Sequence, residues 1–275
     1  MTAPTLLLAL PSAFALGGYA WAARAGHGPA LRTVLLAAWM AHALALIADV
    51  LGLGSGLSGA RFGFAPALSL TLWLVIAVYG VESRWLPLPG VRRVLAGLGV
   101  LAVALAWAFP GEARPHASSP WAPAHWVLGF ASYGLFGAAV LHAAMWSHNE
   151  RLLRLKPKTV GARPGEALDR QHMCMPLLKL EALTFGFVKA GFVALTATLV
   201  LGWWFSRPWQ WDHKSVFSVL AWLVFAALLT GRLTLGWRGK PATRWLYAGS
   251  SLLLLAYVGS RFVLEIVLRR PPGSY

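Results

Sequence analysis

The stretch LTFGFVKAGFVALTATLVLGWWF (183–205) passes through SRPWQWDHKS (206–215) into VFSVLAWLVFAALLTGRLTL (216–235). Two apolar runs of roughly twenty residues, each long enough to cross the hydrocarbon of a bilayer as a helix, are joined by ten residues unsuited to a core. Trp203, Trp204, Trp209 and Trp211 bring four indoles to this junction, and Asp212, His213 and Lys214 follow at once. Indoles collect where a helix leaves the membrane, so the junction marks a membrane surface and the flanking runs are spans.

The remaining chain repeats the pattern. Apolar runs occur at Thr5 to Ala23, Thr33 to Leu53, Phe62 to Val81, Val91 to Phe109, Pro123 to Trp146 and Ala242 to Leu268. With the first two they make eight spans. The composition agrees: 58% of residues are hydrophobic and 12% charged, with mean hydropathy +0.61, too little polar surface to cover a soluble globule. The expected fold is all-α, a polytopic membrane bundle of eight transmembrane helices. It forms a single domain over residues 1–275, with a basic cytoplasmic connector at about 147–179.

The net charge of +15 does not indicate a nucleic-acid partner, because it is distributed by topology. Arg24, Arg32, Arg84, Arg92 and Arg93 follow spans one and three. The loop after span five carries Arg151, Arg154, Lys156, Lys158, Arg163, Arg170 and Lys179, and the region after span seven carries Arg232, Arg238, Lys240 and Arg244. The other side holds Arg61, Arg114, Arg207, Lys214, Arg269 and Arg270. The positive-inside rule then puts both termini outside. No Lys or Arg precedes Arg24, so the first run reads as a retained span rather than a secretory leader. Cys174 is the single cysteine, so no intramolecular disulfide or CxxC pair exists.

On this topology the outer face gathers His125 at the start of span five, the indole group, and His213 at the start of span seven. Indole faces stack on an extended π-system, and imidazole ligates haem iron. Arg61, Arg114, Arg207 or Lys214 have the charge to meet propionates. Trp121 and Trp126 flank His125 as a possible second aromatic wall. The plainer reading of the tryptophans is an interfacial belt, which fits Trp85, Trp121, Trp237 and Trp245 better than the 203–211 group.

His42 sits mid-way along span two with Asp49 seven residues on, nearly the same face. An ionisable group at that depth is a functional candidate. Its two readings are an iron ligand within the bilayer and an interhelical hydrogen bond. Arg261 and Glu265 are spaced i,i+4 near the outer end of span eight, with Tyr257 one turn earlier. They read as a neutralised pair or as a propionate anchor. Lys189, about two turns into span six from its inner end, is expected to snorkel. His142 and His148, at the inner end of span five, are expected to be solvated, as are His27, His116 and His172 in or beside loops. His172-Met173-Cys174-Met175 lacks the further ligands that would complete a metal site. The small residues Gly129, Ser132, Gly134 and Gly137 in span five predict close helix approach and a central position. Hydrolase and nucleotide-binding motifs are absent from the sequence.

WQWDHKSVFSVLAW (209–222), followed by Arg232 and Gly236-Trp237-Arg238-Gly239, resembles the cytochrome c assembly family of haem-handling membrane proteins. In that family a WxWDxKE-like external motif opens a span that ends before a GWRG-like inner loop. HWVLGFASYGLF (125–136) is similar to the family's span that begins with an external histidine. The likeness covers about 62–268. It implies a membrane protein of c-type cytochrome maturation that binds haem b non-covalently and holds or presents it at the outer face of a bacterial cytoplasmic membrane. His125 is then an iron ligand, His42 a possible intramembrane ligand, and Trp209, Trp211 and Asp212 the presenting motif. Trp203, Trp204, His213 and Arg261 complete the expected cofactor-binding set. The implied partners are haem and other cytochrome c maturation membrane proteins. The chain departs from full haem-lyase members: Ser215 replaces the usual acid after the lysine, His213 stands where proline is frequent, and 269–275 bring no further histidine. It is closest in pattern to the small eight-span, HemX-like branch, and reads as a holder rather than a stand-alone enzyme. The alternative is a scaffold or regulator of haem biosynthesis or export. A small-molecule transporter ranks below both, since no broken-helix pair or inverted repeat is apparent.

Overall fold

A chain in hydrocarbon must satisfy its own backbone hydrogen bonds, and helices do so within one segment. A computed structural model describes residues 3–25, 30–52, 60–83, 89–114, 121–155, 164–205 and 211–268, and nearly all of these are helical. The helices are α1 (Ala3–Arg24), α2 (Ala30–Val50), α3 (Phe64–Glu82), α4 (Pro89–Ala108), α5 (Ala122–Leu155), α6 (Pro164–Phe205), α7 (His213–Thr234) and α8 (Lys240–Leu254). Past Leu254, α8 continues as a π-helix at Leu255–Gly259, a short α-turn at Ser260–Phe262 and a second π-helix at Val263–Val267. Among the described residues, seven segments are long and apolar enough to cross a membrane: α2 to α7, and α8 with its π-helical continuation. The protein is a polytopic helical membrane bundle.

Two helices run beyond their apolar spans at the connector between them. α5 extends to Leu155 and α6 begins at Pro164, so much of the basic connector is helical. Sequence such as Asn149-Glu150-Arg151-Leu152-Leu153 consists mostly of good helix formers, and Pro164 takes the first helical position, which has no need of an N–H donor.

Among the described residues, two larger buried clusters divide the bundle into halves. Ala15, Tyr19, Ala38, Val75, Leu95 and Val103 pack together among α1 to α4. Phe136, Phe185, Val188, Phe225, Leu228 and Leu246 pack among α5 to α8, where Phe136 stacks on Phe225 with ring centroids 3.8 Å apart. The seam between the halves runs along α3 and α5. A Cβ at Gly134 would lie 2.8 Å from Leu74 Cβ, and one at Gly137 would lie 2.7 Å from Val75 Cγ2. The glycines are therefore what lets α5 reach α3, as the run of small residues in span five predicts.

Between α2 and α3 the packing is reciprocal. The Trp39 indole N–H donates to the Trp73 carbonyl at 3.1 Å, and Trp73 donates to the Trp39 carbonyl at 3.0 Å, with the rings stacked at 4.6 Å. At the end of the bundle where α5 begins, β1 (Ala60–Phe62) pairs antiparallel with β2 (Glu112–Arg114) in the register Ala60 to Arg114 and Phe62 to Glu112. Arg61 Nε donates to the Gly111 carbonyl at 2.8 Å and lies 3.6 Å from Asp49, tying both outer loops to the end of α2. Gly111 has no room for a side chain, since a Cβ there would lie 2.7 Å from the Phe62 carbonyl carbon.

Gly134→Leu should force the seam apart at the cost of overpacking, about 1–3 kcal/mol. A thermal unfolding series in mild detergent checks this: Gly134→Leu is expected to lower the midpoint. Gly97→Ala, where an added Cβ meets nothing within 4 Å, leaves it unchanged or raised.

Candidate functional site

The first turn of α5 carries His125. The imidazole Nδ1 lies 3.0 Å from the Thr198 carbonyl oxygen of α6. A carbonyl only accepts, so Nδ1 carries the hydrogen and the ring's lone pair is on Nε2. That tautomer, fixed by a backbone carbonyl, is the one in which histidines ligate metals through Nε2. The site can approach α6 because Gly129, one turn along α5, faces the Thr198 methyl with space for no more than a Cβ, which would lie 3.7 Å from it.

Trp203 and Trp204 lie five and six residues beyond Thr198 on α6, about 7–9 Å further toward its C-terminal end at 1.5 Å per residue. They are 53% and 62% exposed, and Trp211 before α7 is 70% exposed. The structure thus brings His125 and the exposed indoles to adjacent helix ends on one surface. Trp209 and Arg207 lie outside the described residues, as do His27 and His116 and the side chains of 172–175.

Asp212 has a structural task. It is the N-cap of α7, and its Oδ1 accepts the Ser215 backbone N–H at 2.8 Å. Burial pushes its carboxyl pKa up, but the Ser215 N–H and hydroxyl, with the positive charge of Lys214 and His213, outweigh that and hold it below the usual value. A carboxylate with a lowered native pKa stabilises above its unfolded pKa, and that contribution is lost as pH falls through the native value. His213 is the exposed first residue of α7.

Trp126 does not join the α6 side. It packs on Phe62 of β1 at 4.8 Å, and the aromatic contacts continue from Phe62 to Phe130 and from Phe130 to Tyr257. This chain of rings links the start of α5 to the π-helical end of α8. Tyr133 donates its hydroxyl to the Leu253 carbonyl, and Ser260 Oγ reaches the Ala256 carbonyl at 2.7 Å, so side chains satisfy carbonyls where the helix widens. Arg261 stands between the two π-helical segments. It is 0% exposed, with Nη1 4.0 Å from Glu265 Oε1, so the i,i+4 pair exists and faces the interior. Such π-insertions alter which face of a helix turns inward.

His42 is 1% exposed. Tyr19 Oη lies 3.3 Å from its Nδ1 and Ser69 Oγ 2.7 Å from its Nε2, so hydroxyls from α1 and α3 bind both ring nitrogens. Of its two readings, the structure contains the interhelical hydrogen bond.

One expectation is corrected. His142 is not solvated: it is 2% exposed. Its Nδ1–H donates to the Ala138 carbonyl at 2.7 Å, and Nε2 lies 2.8 Å from Glu82 Oε2, so the two side chains join α3 to α5 at one end of their seam. Arg232 is a second inner pairing the sequence did not reveal. Its Nη1 lies 2.9 Å from Glu181 and its guanidinium 3.4 Å above the Phe185 ring. The available signal was depth: each acid and its partner occur at the inner ends of their spans. The GWRG-like loop closes this end. Gly236 and Gly239 take positive φ, and Trp237 covers Gly231, where a Cβ would fall 2.5 Å from the indole.

These features define a class, a polytopic membrane bundle with an oriented imidazole beside exposed indoles at one end. The family model described as Cytochrome C assembly protein matches residues 28–268, and the chain belongs to that family. The inner membrane protein YpjD of Escherichia coli (strain K12) is 30% identical over 236 residues, 84% of each chain. A cytochrome c biogenesis protein CcsA of Prochlorococcus marinus is 25% identical over 223 residues, covering 72% of this chain and 71% of its own. Among solved structures, the cytochrome c haem lyase CcmF superposes with a TM-score of 0.58 at 19% identity, over 98% of this chain and 51% of that one. That likeness is one of fold, and this chain spans about half the length of CcmF.

Asp212→Ala removes the α7 cap and should cost about 1 kcal/mol, read as a lower unfolding midpoint. Asp212→Asn keeps a capping oxygen and should stay within a few tenths of a kcal/mol of the parent.

Proposed function

We propose that this protein binds haem b non-covalently at the outer face of a bacterial cytoplasmic membrane and holds or presents it during c-type cytochrome assembly. The observation that carries the reading is His125. Its Nδ1–H is held by the Thr198 carbonyl, which leaves the lone pair on Nε2, about one and a half helical turns below exposed Trp203 and Trp204. That donor chemistry fits an iron porphyrin: imidazole for the metal, indole faces for the macrocycle, and Lys214 near the rim for a propionate. Family membership and the CcsA relative support the assignment to cytochrome c biogenesis.

In this reading the chain has eight spans with both termini outside, α1 being the first. Its 22 residues have the length of a span, and the basic loops alternate as the positive-inside rule requires. His125 ligates the iron, and Trp203, Trp204, Trp209 and Trp211 form the shelf. His213, exposed at the same surface, is available as a second imidazole. Asp212 fixes the start of α7 and so the position of His213 and Lys214. Arg261 adds a buried positive charge beneath, moderated by Glu265. For His42 to ligate, Ser69 or Tyr19 must release it, so it ranks behind His125. Bound haem would supply the iron and macrocycle for transfer, and the protein's own part is to orient the ring and limit access of water. Other maturation proteins are the natural recipients or donors.

The visible spectrum of the protein purified in mild detergent tests this. A Soret band is expected, lost or strongly reduced in His125→Ala, weakened in a Trp203→Ala/Trp204→Ala double variant, and retained in His42→Phe. Absence of a Soret band even after haem addition would replace this reading with a membrane scaffold for haem biosynthesis or export.

A further inference from the structure

Arg151 near the end of α5 and Arg244 in the second turn of α8 are both exposed, and they stand on packed helices at the end of the bundle opposite His125. The contact that brings them together is one turn deeper. There the Tyr247 hydroxyl is hydrogen-bonded to the Ser147 side chain, with the Arg151 charge close enough to act on the phenol. Arg151 follows Ser147 by four residues and Arg244 precedes Tyr247 by three. Each guanidinium therefore lies one turn nearer the membrane surface than the hydrogen bond, on the same face of its helix as the residue that makes it. Rotation about two helix axes, and not the number of basic residues in the loops, produces this convergence.

The protein does not balance this charge itself. The acids at this end whose side chains are described are Glu82, Glu150 and Glu181. Glu82 meets His142, Glu181 meets Arg232 at 2.9 Å and Arg238 at 3.7 Å, and Glu150 has an interaction of its own. Among the described residues no carboxylate pairs with Arg151, Arg244 or the exposed Lys240 at the start of α8. The setting is interfacial as well. Trp237 stacks on Trp245 at 5.4 Å, where α8 enters the membrane and indoles mark the headgroup level. Deeper than Tyr247, the exposed residues Ala144 of α5 and Ala248 and Ser251 of α8 are small, so no bulky side chain blocks the way from the arginines into the hydrocarbon.

Guanidinium forks match phosphate oxygens, hydroxyls add bonds below them, and basic positions between transmembrane helices at a membrane surface take acidic headgroups. We infer that the α5/α8 seam at Arg151, Arg244 and Tyr247 binds the phosphate of an anionic phospholipid, whose acyl chain runs past Ala248 and Ser251. A zwitterionic lipid fits less well, because its own cation would face the uncompensated charge of the arginines and Lys240. The site is independent of whether His125 binds haem.

Native mass spectrometry of the full chain in mild detergent, titrated with phosphatidylglycerol, tests it. Arg151→Gln/Arg244→Gln should weaken binding of the first lipid at least about tenfold, as two basic contacts at a membrane surface require. Arg24→Gln/Arg93→Gln removes the same charge from exposed positions of α1 and α4 at the same end of the bundle and should leave that binding unchanged. Phosphatidylcholine should bind the parent at least about tenfold more weakly than phosphatidylglycerol, and inorganic phosphate should not displace the lipid. These substitutions alter exposed side chains only, so unfolding midpoints without lipid should match the parent. Arg244→Glu alone, a second variant that leaves Arg151 in place, should abolish the preference for phosphatidylglycerol over phosphatidylcholine. Equal losses in the two double variants would mean a diffuse basic surface, and displacement by inorganic phosphate would mean a free-anion site. Either result, a parent without lipid preference, or a preference that survives Arg244→Glu would overturn the proposal.

Discussion

The close approach of α3 and α5 is the constraint on which the rest of the bundle depends. Each half packs its own core, and the halves meet where Gly134 and Gly137 accept Leu74 and Val75. Lipid is as apolar as a core side chain, so no hydrophobic gain drives helices together in a membrane. Dispersion contacts at short range must do it. The seam is then fastened at both ends, by His142 and Glu82 on the inner side and by Phe62 against Trp126 and Phe130 on the outer. Because α5 carries both Gly134 and His125, the packing that joins the halves also sets where the outer imidazole stands.

The outer end is built from short-range devices that fix longer elements. Arg61 holds the Gly111 carbonyl and approaches Asp49, Asp212 caps α7, and π-helical turns carry Arg261 inward. None of these needs a ligand to explain it. Their joint result is a rigid platform that leaves Trp203, Trp204, Trp211 and His213 exposed while Arg61 and Arg261 are withdrawn.

What the sequence made legible followed from solvent. Length and apolarity are responses to a bilayer, and they give the helices directly: α6 and α7 occur where the 183–235 stretch requires. His125 was legible as a residue at a helix end for the same reason. Pairings between helices were not, because they depend on rotation about each helix axis. His142 looked solvated since its position along span five reaches the inner surface, yet the face it occupies turns toward Glu82. The three-residue strands carry no periodicity long enough to read, and the role of Asp212 was masked by its tryptophan neighbours: an acid beside indoles resembles a ligand motif, while an acid three residues before a backbone N–H at a helix start is a cap.

The two candidate histidines show why burial alone ranks sites poorly. His42 is the more buried and lies deeper, which made it a functional candidate by cost. Interhelical polar bonds in membranes are worth only about 0.6 kcal/mol each on average, so its contacts with Tyr19 and Ser69 are modest in energy. They nevertheless occupy both nitrogens, and any ligand must displace one of them inside a packed core. His125 gives one nitrogen to a backbone carbonyl, an acceptor that needs no side chain and cannot rotate away. Orientation, not depth, distinguishes the two imidazoles: His125 is held by a backbone carbonyl, whereas His42 joins helices through side-chain hydroxyls.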